Sequence, residues 1–227
     1  MTADLKLKIK DNINSIHHDI EAMCRHAGVA DAKPALIAVS KVQPKERVLA
    51  ALEAGQRVFG ENKLQEAESR WAEFRPAYDN IELHLIGSLQ SNKVAKAVAL
   101  FDVIQTVDRT KLATKLAQEM EKQGRHLPIF IQVNTGREAQ KGGCMPEDLA
   151  GLVAAAASLQ LNVVGLMCIP PANDDPALHF ALLKKLAKRH NLERLSIGMS
   201  SDFALAAAMG ATDIRIGTAI FGERDYG

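Results

Sequence analysis

Ala35-Leu-Ile-Ala-Val-Ser-Lys41 runs straight into Val42-Gln-Pro44 and then into a helical stretch, Lys45–Ala54. This is a short apolar run, a tight polar turn and an amphipathic helix, and the turn contains no glycine. Working outward, the same unit recurs to the end of the chain. The spacing predicts strands at Ala35–Lys41, Arg57–Gly60, Leu83–Gly87, Asp102–Val107, Pro128–Asn134, Asn162–Cys168, Leu195–Met199 and Asp213–Gly217. It predicts helices at Lys45–Ala54, Lys63–Phe74, Ser91–Ala99, Thr110–Gln123, Pro146–Leu159, Pro176–His190 and Asp202–Met209. Pro44, Pro146 and Pro176 stand at first-turn positions, and Gly55, Gly124 and Gly210 stand just past helix ends. Strand and helix alternating eight times means a parallel sheet covered by helices. An open doubly wound sheet usually carries a glycine-rich turn after its first strand. The glycine-free turn at 40–44 therefore favours a single α/β barrel of the (β/α)8, or TIM, type.

Ahead of the first strand, Leu5, Ile9, Ile13, Ile16, Ile20 and Met23 recur at three- and four-residue steps on one helical face. Gly28 and Pro34 end that region. The expected organisation is an N-terminal helix and lead-in over 1–34 and a barrel over 35–227, forming one domain. The 227 residues suit one barrel, and a hydrophobic fraction of 47% supplies its core. Net charge is +1 with both signs interspersed, so no electrostatic feature points to nucleic acid or to a membrane. No apolar run approaches the ~20 residues of a spanning helix. The N-terminal stretch is charged throughout and lacks a signal-peptide core. Cys24, Cys144 and Cys168 are far apart and odd in number, which fits neither a disulfide framework nor a metal pattern. The expectation is a cytoplasmic protein, monomeric, without nucleic-acid, membrane or metal partners.

In such barrels the chemistry sits at the carboxyl ends of the strands. There the chain has Lys41, Gly60-Glu-Asn62, Gly87-Ser88, Asp108, Gln132 with Asn134, Met199-Ser-Ser201, and Arg215 with Gly217-Thr218. Strand alternation puts Ile37, Val39 and Lys41 on one face. A lysine that continues a barrel-facing apolar stripe is partly desolvated, which lowers an ammonium pKa and frees the amine to attack carbonyls. Closure of the barrel brings the eighth strand, with Arg215, beside the first. The loops Gly198-Met-Ser-Ser-Asp202 and Ile216-Gly-Thr-Ala219 follow strands seven and eight, where barrel enzymes often hold phosphate. Each opens a helix, so N–H groups and a positive dipole end are expected to face an anion. Lys63, Lys93 and Lys141 lie near strand ends but continue no strand face. His84 lies within the third strand, where a core or helix-facing role is expected.

Read together and in order, these segments are similar to a known family. Leu36-Ile-Ala-Val-Ser-Lys41, Phe59-Gly-Glu-Asn62, His84-Leu-Ile-Gly87 with Leu89-Gln-Ser-Asn-Lys93, Gln132-Val-Asn-Thr-Gly136, Gly198-Met-Ser-Ser-Asp202 and Arg215-Ile-Gly-Thr-Ala-Ile-Phe-Gly222 resemble the pyridoxal phosphate homeostasis proteins. The likeness spans nearly the whole chain. It implies a barrel like the N-terminal domain of alanine racemase, with pyridoxal 5′-phosphate held as a Schiff base on Lys41. It implies phosphate contacts from Ser200, Ser201, Gly217 and Thr218 on the loop that also carries Met199. It implies Arg215 near the pyridine nitrogen and Asn62 bordering the cofactor. The chain departs from the pattern at Gln43, where the family commonly has a second lysine, at Leu83, where an aromatic is common, and at Ile197, where methionine is frequent.

Turnover on this cofactor needs an electron-withdrawing ring and a base over the substrate carbon. An arginine cannot give the ring nitrogen a proton and keep a neutral partner, because guanidinium stays charged. The chain reaches Gly227 only ten residues past Gly217, Tyr78 falls in a loop and Tyr226 is almost terminal. The expected role is therefore a carrier or buffer of the cofactor, not an enzyme, with apo-enzymes as recipients. The alternatives are an amino-acid racemase that uses Lys141 or Lys63 as its base, and a cofactor-free Schiff-base aldolase built on Lys41.

Overall fold

The structure, a computed structural model, describes residues 3–223. Eight parallel strands close into a barrel in chain order: β1 Ala35–Val39, β2 Val58–Glu61, β3 Glu82–Leu85, β4 Val103–Val107, β5 Ile129–Gln132, β6 Val163–Met167, β7 Arg194–Ser196 and β8 Asp213–Ile216. The helices α1 Ala3–His26, α2 Lys45–Glu53, α3 Leu64–Phe74, α4 Val94–Leu100, α5 Thr110–Gln123, α6 Leu149–Ser158, α7 Pro176–Arg189, α8 Phe203–Ala208 and α9 Thr218–Phe221 surround it. The fold is the (β/α)8 barrel that the alternation predicts. No helix among the described residues is long and apolar enough to cross a membrane.

The differences from the expected boundaries cluster at the site end. Lys41, Gly87, Asn134, Cys168, Met199 and Gly217 lie one to three residues beyond the ends of their strands. The ladder stops where polar loops begin, and the apolar runs alone do not mark that point. At the helix starts, Pro146 belongs to a turn, closed by Asp148 N–H donating to Met145 O, and α6 begins at Leu149. Pro44 caps α2 from outside with φ −55° and ψ 146°. Ser91–Lys93 forms a 3-10 turn ahead of α4.

The leading helix behaves as its periodicity predicts. Ile9, Ile13, Ile16, Ile20 and Cys24 are buried, with Leu5 and Met23 at the margin of the core. α1 packs on α2, α8 and α9, and Asn12 Nδ2 donates to Ile220 O at 2.8 Å. It thus braces the seam where β8 meets β1.

Register decides which side chains fill the barrel. Directly paired residues of adjacent strands face the same side. The pairs Ile37↔Arg215, Gly60↔His84, His84↔Val103, Phe130↔Gly165, Gly165↔Arg194, Met167↔Ser196 and Ser196↔Asp213 therefore place these residues inside. The larger apolar cluster lies outside the strands, under the helices, while Val103, Phe130 and Met167 form a small separate one. Much of the interior is polar. Arg194 forms an ion pair with buried Asp213 and sits 4.9 Å above the Phe130 ring. Gly165 lies between those two residues, and a Cβ there would stand 2.1 Å from Arg194 O. Gly165→Ala must push β6 from β7, so it is expected to lower stability by about 1–3 kcal/mol, read as an earlier midpoint in urea unfolding.

Candidate functional site

β1 and β8 carry the centre of the site. Ile37 pairs with Arg215, and Lys41 lies four residues further along the same face. That spacing separates the two backbones by about 13 Å, with Val39 between them. Lys41 is half-buried and Arg215 is almost fully enclosed. Both line a cavity of about 260 Å³ at the carboxyl mouth of the barrel. Its wall also holds Asn62, Met199, Ser200, Ser201, Gly217 and Thr218. All eight residues expected at the site therefore meet in one cavity. Val39, Ile86 and Ile169 complete the wall. Ile86 and Ile169 were not among the expected residues, although each continues an inward face two positions past His84 and Met167.

Lys41 is set by what holds its loop. Ser40 N–H still donates to Gly60 O at 3.0 Å, and Val42 then takes φ +57°. Left-handed backbone is unfavourable for a β-branched residue. The conformation is held from outside the barrel by Glu61, whose side chain is wholly buried. Glu61 Oε1 accepts from Ser40 Oγ at 2.8 Å, from Trp71 Nε1 at 3.1 Å and from Arg70 Nη1. Arg70 Nη2 donates to Gln43 O at 3.0 Å. One carboxylate and one guanidinium thus clamp both sides of Lys41 to α3. Gln43 is itself buried, and its side-chain oxygen accepts from Arg47 Nη1 at 3.3 Å. The side chain at 43 is part of the loop's packing.

Arg215 makes no ion pair among the described residues. Asp213, two positions away, pairs with Arg194 instead. The Arg215 guanidinium donates through Nη1 to Ser196 Oγ at 2.5 Å and through Nη2 to Cys168 O at 2.8 Å. Burial pulls its pKa below the ordinary value, while Cys168, Asp213 and Asp202 act in the opposite direction. Guanidinium nonetheless stays protonated in proteins. A buried cation with only neutral contacts is costly unless something compensates it.

The two loops expected to face an anion are present, with one correction. α8 has six residues and α9 four, so the macrodipole behind each is small. What the loops offer is local donors. Neither helix has a side-chain cap. Ser200 Oγ accepts from Ala219 N–H at 3.3 Å and ties the loops together. Met199 N–H donates to Asp202 Oδ1 at 2.5 Å. Gly198, at φ +92°, opens the first loop, and a Cβ there would stand 2.6 Å from Ala206 Cβ. On the opposite wall, Asn62 Oδ1 is buried with no hydrogen-bond partner among the described residues.

Other expected residues fall elsewhere. Gln132, Asn134 and Lys141 line an adjoining cavity of about 280 Å³ that shares Asn62, Ile86 and Ile169 with the first. Lys141 is paired with Glu138 and Pro170 O. Lys63 is largely exposed and pairs with Glu66. Tyr78 packs at the edge of the core under Arg57, and Tyr226 lies outside the described residues. No group of three or more metal-ligating His, Cys, Asp or Glu residues occurs among the described residues.

A family model described as the alanine racemase N-terminal domain matches residues 12–225. The pyridoxal phosphate homeostasis protein of Vibrio cholerae is 40% identical, over 96% of this chain and 97% of its own length. The chain belongs to the pyridoxal phosphate homeostasis protein family. The Pseudomonas aeruginosa member is 42% identical, over 96% of this chain and 97% of its own. Among solved structures, PipY of Synechococcus elongatus without its ligand aligns at a TM-score of 0.85 with 36% identity, covering 94% of this chain and all of PipY. The PLP-bound form of PipY aligns at 0.75 with 37% identity, over 88% of this chain and 99% of PipY.

Two predictions follow from the site's supports. Glu61→Ala leaves three buried donors without their acceptor and is expected to cost about 3–5 kcal/mol, with Glu61→Gln costing about 1–3 kcal/mol, both measured by denaturant unfolding. Burial pushes the Cys168 thiol up to about 11, so it stays protonated and unreactive at pH 8. Iodoacetamide at that pH is expected to spare Cys168 in the folded protein and to label it after unfolding, as read by peptide mass spectrometry.

Proposed function

We propose that this protein binds pyridoxal 5′-phosphate in the Lys41 cavity and serves its homeostasis as a reversible carrier. The carrying observation is the pairing, in one cavity, of a half-buried amine with an enclosed guanidinium that touches no carboxylate among the described residues. The relatives' names and the PLP-bound PipY support the same ligand.

The residues fit that ligand group by group. Ser200, Ser201, Gly217 and Thr218 supply hydroxyl and backbone donors for its phosphate. Lys41 condenses through its amine with the aldehyde, water leaving, and the same bond hydrolyses to release the ligand. Asn62 Oδ1 lacks a donor among the described residues, and the ring hydroxyl is one. Arg215 faces the ring nitrogen, and its N–H bonds leave that nitrogen nothing to do but accept.

The last contact argues for holding over turnover. The ligand's chemistry rests on withdrawal of electrons into its ring, which is strongest when the nitrogen is protonated. Arg215 holds the nitrogen unprotonated. Among the described residues, Lys41 is the only amine in the cavity wall, and no tyrosine or histidine lines it. Carriage and buffering of the aldehyde, with delivery to apo-enzymes as recipients, then follow. The protein acts inside the cytoplasm as a monomer.

Titration of the purified protein with pyridoxal 5′-phosphate is expected to produce a new visible absorbance band that Lys41→Ala abolishes. An unchanged band in that variant refutes the assignment. Proton exchange at Cα of a panel of amino acids in deuterium oxide is expected to stay at the rate given by free cofactor. Fast exchange that disappears in Lys41→Ala establishes a racemase-like enzyme instead.

A further inference from the structure

Arg215 is the end of a hydrogen-bonded chain that crosses the barrel interior. Its Nη1 donates to Ser196 Oγ at 2.5 Å. Ser196 Oγ donates to Gln105 Oε1 at 2.6 Å. Gln105 Nε2 meets His84 Nδ1 at 2.7 Å, and His84 Nε2 meets Glu82 Oε1 at 2.6 Å. Ser196, Gln105 and His84 are each completely buried. Glu82 opens β3 at the opposite mouth, with its side chain 47% exposed.

The direction of every bond follows from the Gln105 amide, which turns Oε1 to Ser196 and Nε2 to His84. Guanidinium only donates, so Ser196 Oγ accepts from it, and the single hydroxyl proton goes on to the Gln105 carbonyl. The Gln105 amide then turns its NH2 to His84, whose Nδ1 must accept. The imidazole is left with its proton on Nε2, donating to Glu82. The His84 hydrogen bond holds the Glu82 carboxyl below its ordinary pKa, opposed by partial burial, as suits an acceptor. The chain is polarised one way from the cavity to the far mouth.

The proposed carrier function does not by itself call for this chain. Ser196 has one proton and no second acceptor among its bonds. Without Gln105 the hydroxyl is free to turn, and its proton can swing toward the guanidinium it now accepts from. We propose that Gln105 and His84 are positioning residues that, acting through Ser196, fix the Arg215 guanidinium against the ring nitrogen of the bound pyridoxal phosphate. This rests on the reading that Arg215 faces that nitrogen.

The test compares two ligands in the full-length protein: pyridoxal 5′-phosphate and the analogue in which a CH replaces the ring nitrogen. Affinities are taken from absorbance titration. The wild type is expected to prefer the natural ligand by about tenfold, the scale of one well-made hydrogen bond to a charged group. Gln105→Leu is expected to lose most of that preference while binding the analogue within about twofold of wild type. His84→Leu takes from the Gln105 amide the acceptor that orients it and is expected to lower the preference in the same direction. A role in packing alone would weaken both ligands together, and that result, or an intact preference in Gln105→Leu, overturns the proposal. Ser196→Ala removes a single oxygen and reads the same ratio where the leucine variant does not fold. A wild type that binds both ligands equally overturns instead the contact between Arg215 and the ring nitrogen, and a wild type that forms no absorbance band overturns the binding function itself.

Discussion

Parallel pairing of β8 with β1, in the register that sets Ile37 opposite Arg215, is the constraint on which the rest of this structure depends. Closing the sheet removes its edges and joins the first strand of the barrel to the last. Lys41 and Arg215, 174 positions apart in the chain, become lining residues of one cavity. A slip of one residue would turn Arg215 out under the helices. α1 braces this seam from outside through its isoleucine face, so the leading helix and the site are parts of one arrangement.

The two basic side chains of the cavity are treated differently by their surroundings. Lys41 stands on a loop held from outside the barrel, where Glu61 and Arg70 reach across from β2 and α3. Arg215 is held from inside, by neutral oxygens of Ser196 in β7 and of Cys168 just past β6. Asp213 would neutralise Arg215 if the two were partnered, but Arg194 occupies it. The guanidinium therefore keeps its field for whatever enters the cavity. Under the proposed function, this division would set ring recognition in the rigid interior and the exchangeable bond at the half-buried mouth.

Much of this is legible in the sequence. The eight apolar runs and their intervening helical stretches led to the barrel, and strand alternation led to Lys41 and Arg215 as inward residues. The loops after the last two strands stood out by their glycine and hydroxyl content. Where the structure differs, the causes are physical. Six of the expected strands overrun the paired ones by one to three residues at the site end, because the apolar pattern does not mark where the last ladder bond falls. The expected dipoles shrank because α8 and α9 are only one or two turns long. His84 faces the barrel interior and not a helix, a choice made by its register with Gly60 of β2. The clamp at Glu61 and the chain through Gln105 gave no local signal, since each joins residues from different strands.

By itself, the sequence determined the periodicities, and hence the class of fold, the family and the short segments that border the cavity. Those features are local, and a few neighbouring residues suffice to express them. Only the tertiary structure decided which acid pairs with which base, which loop is clamped, and in what direction the buried hydrogen bonds run. Those choices are made between strands far apart in the chain, by register and by the demand that every enclosed donor find an acceptor.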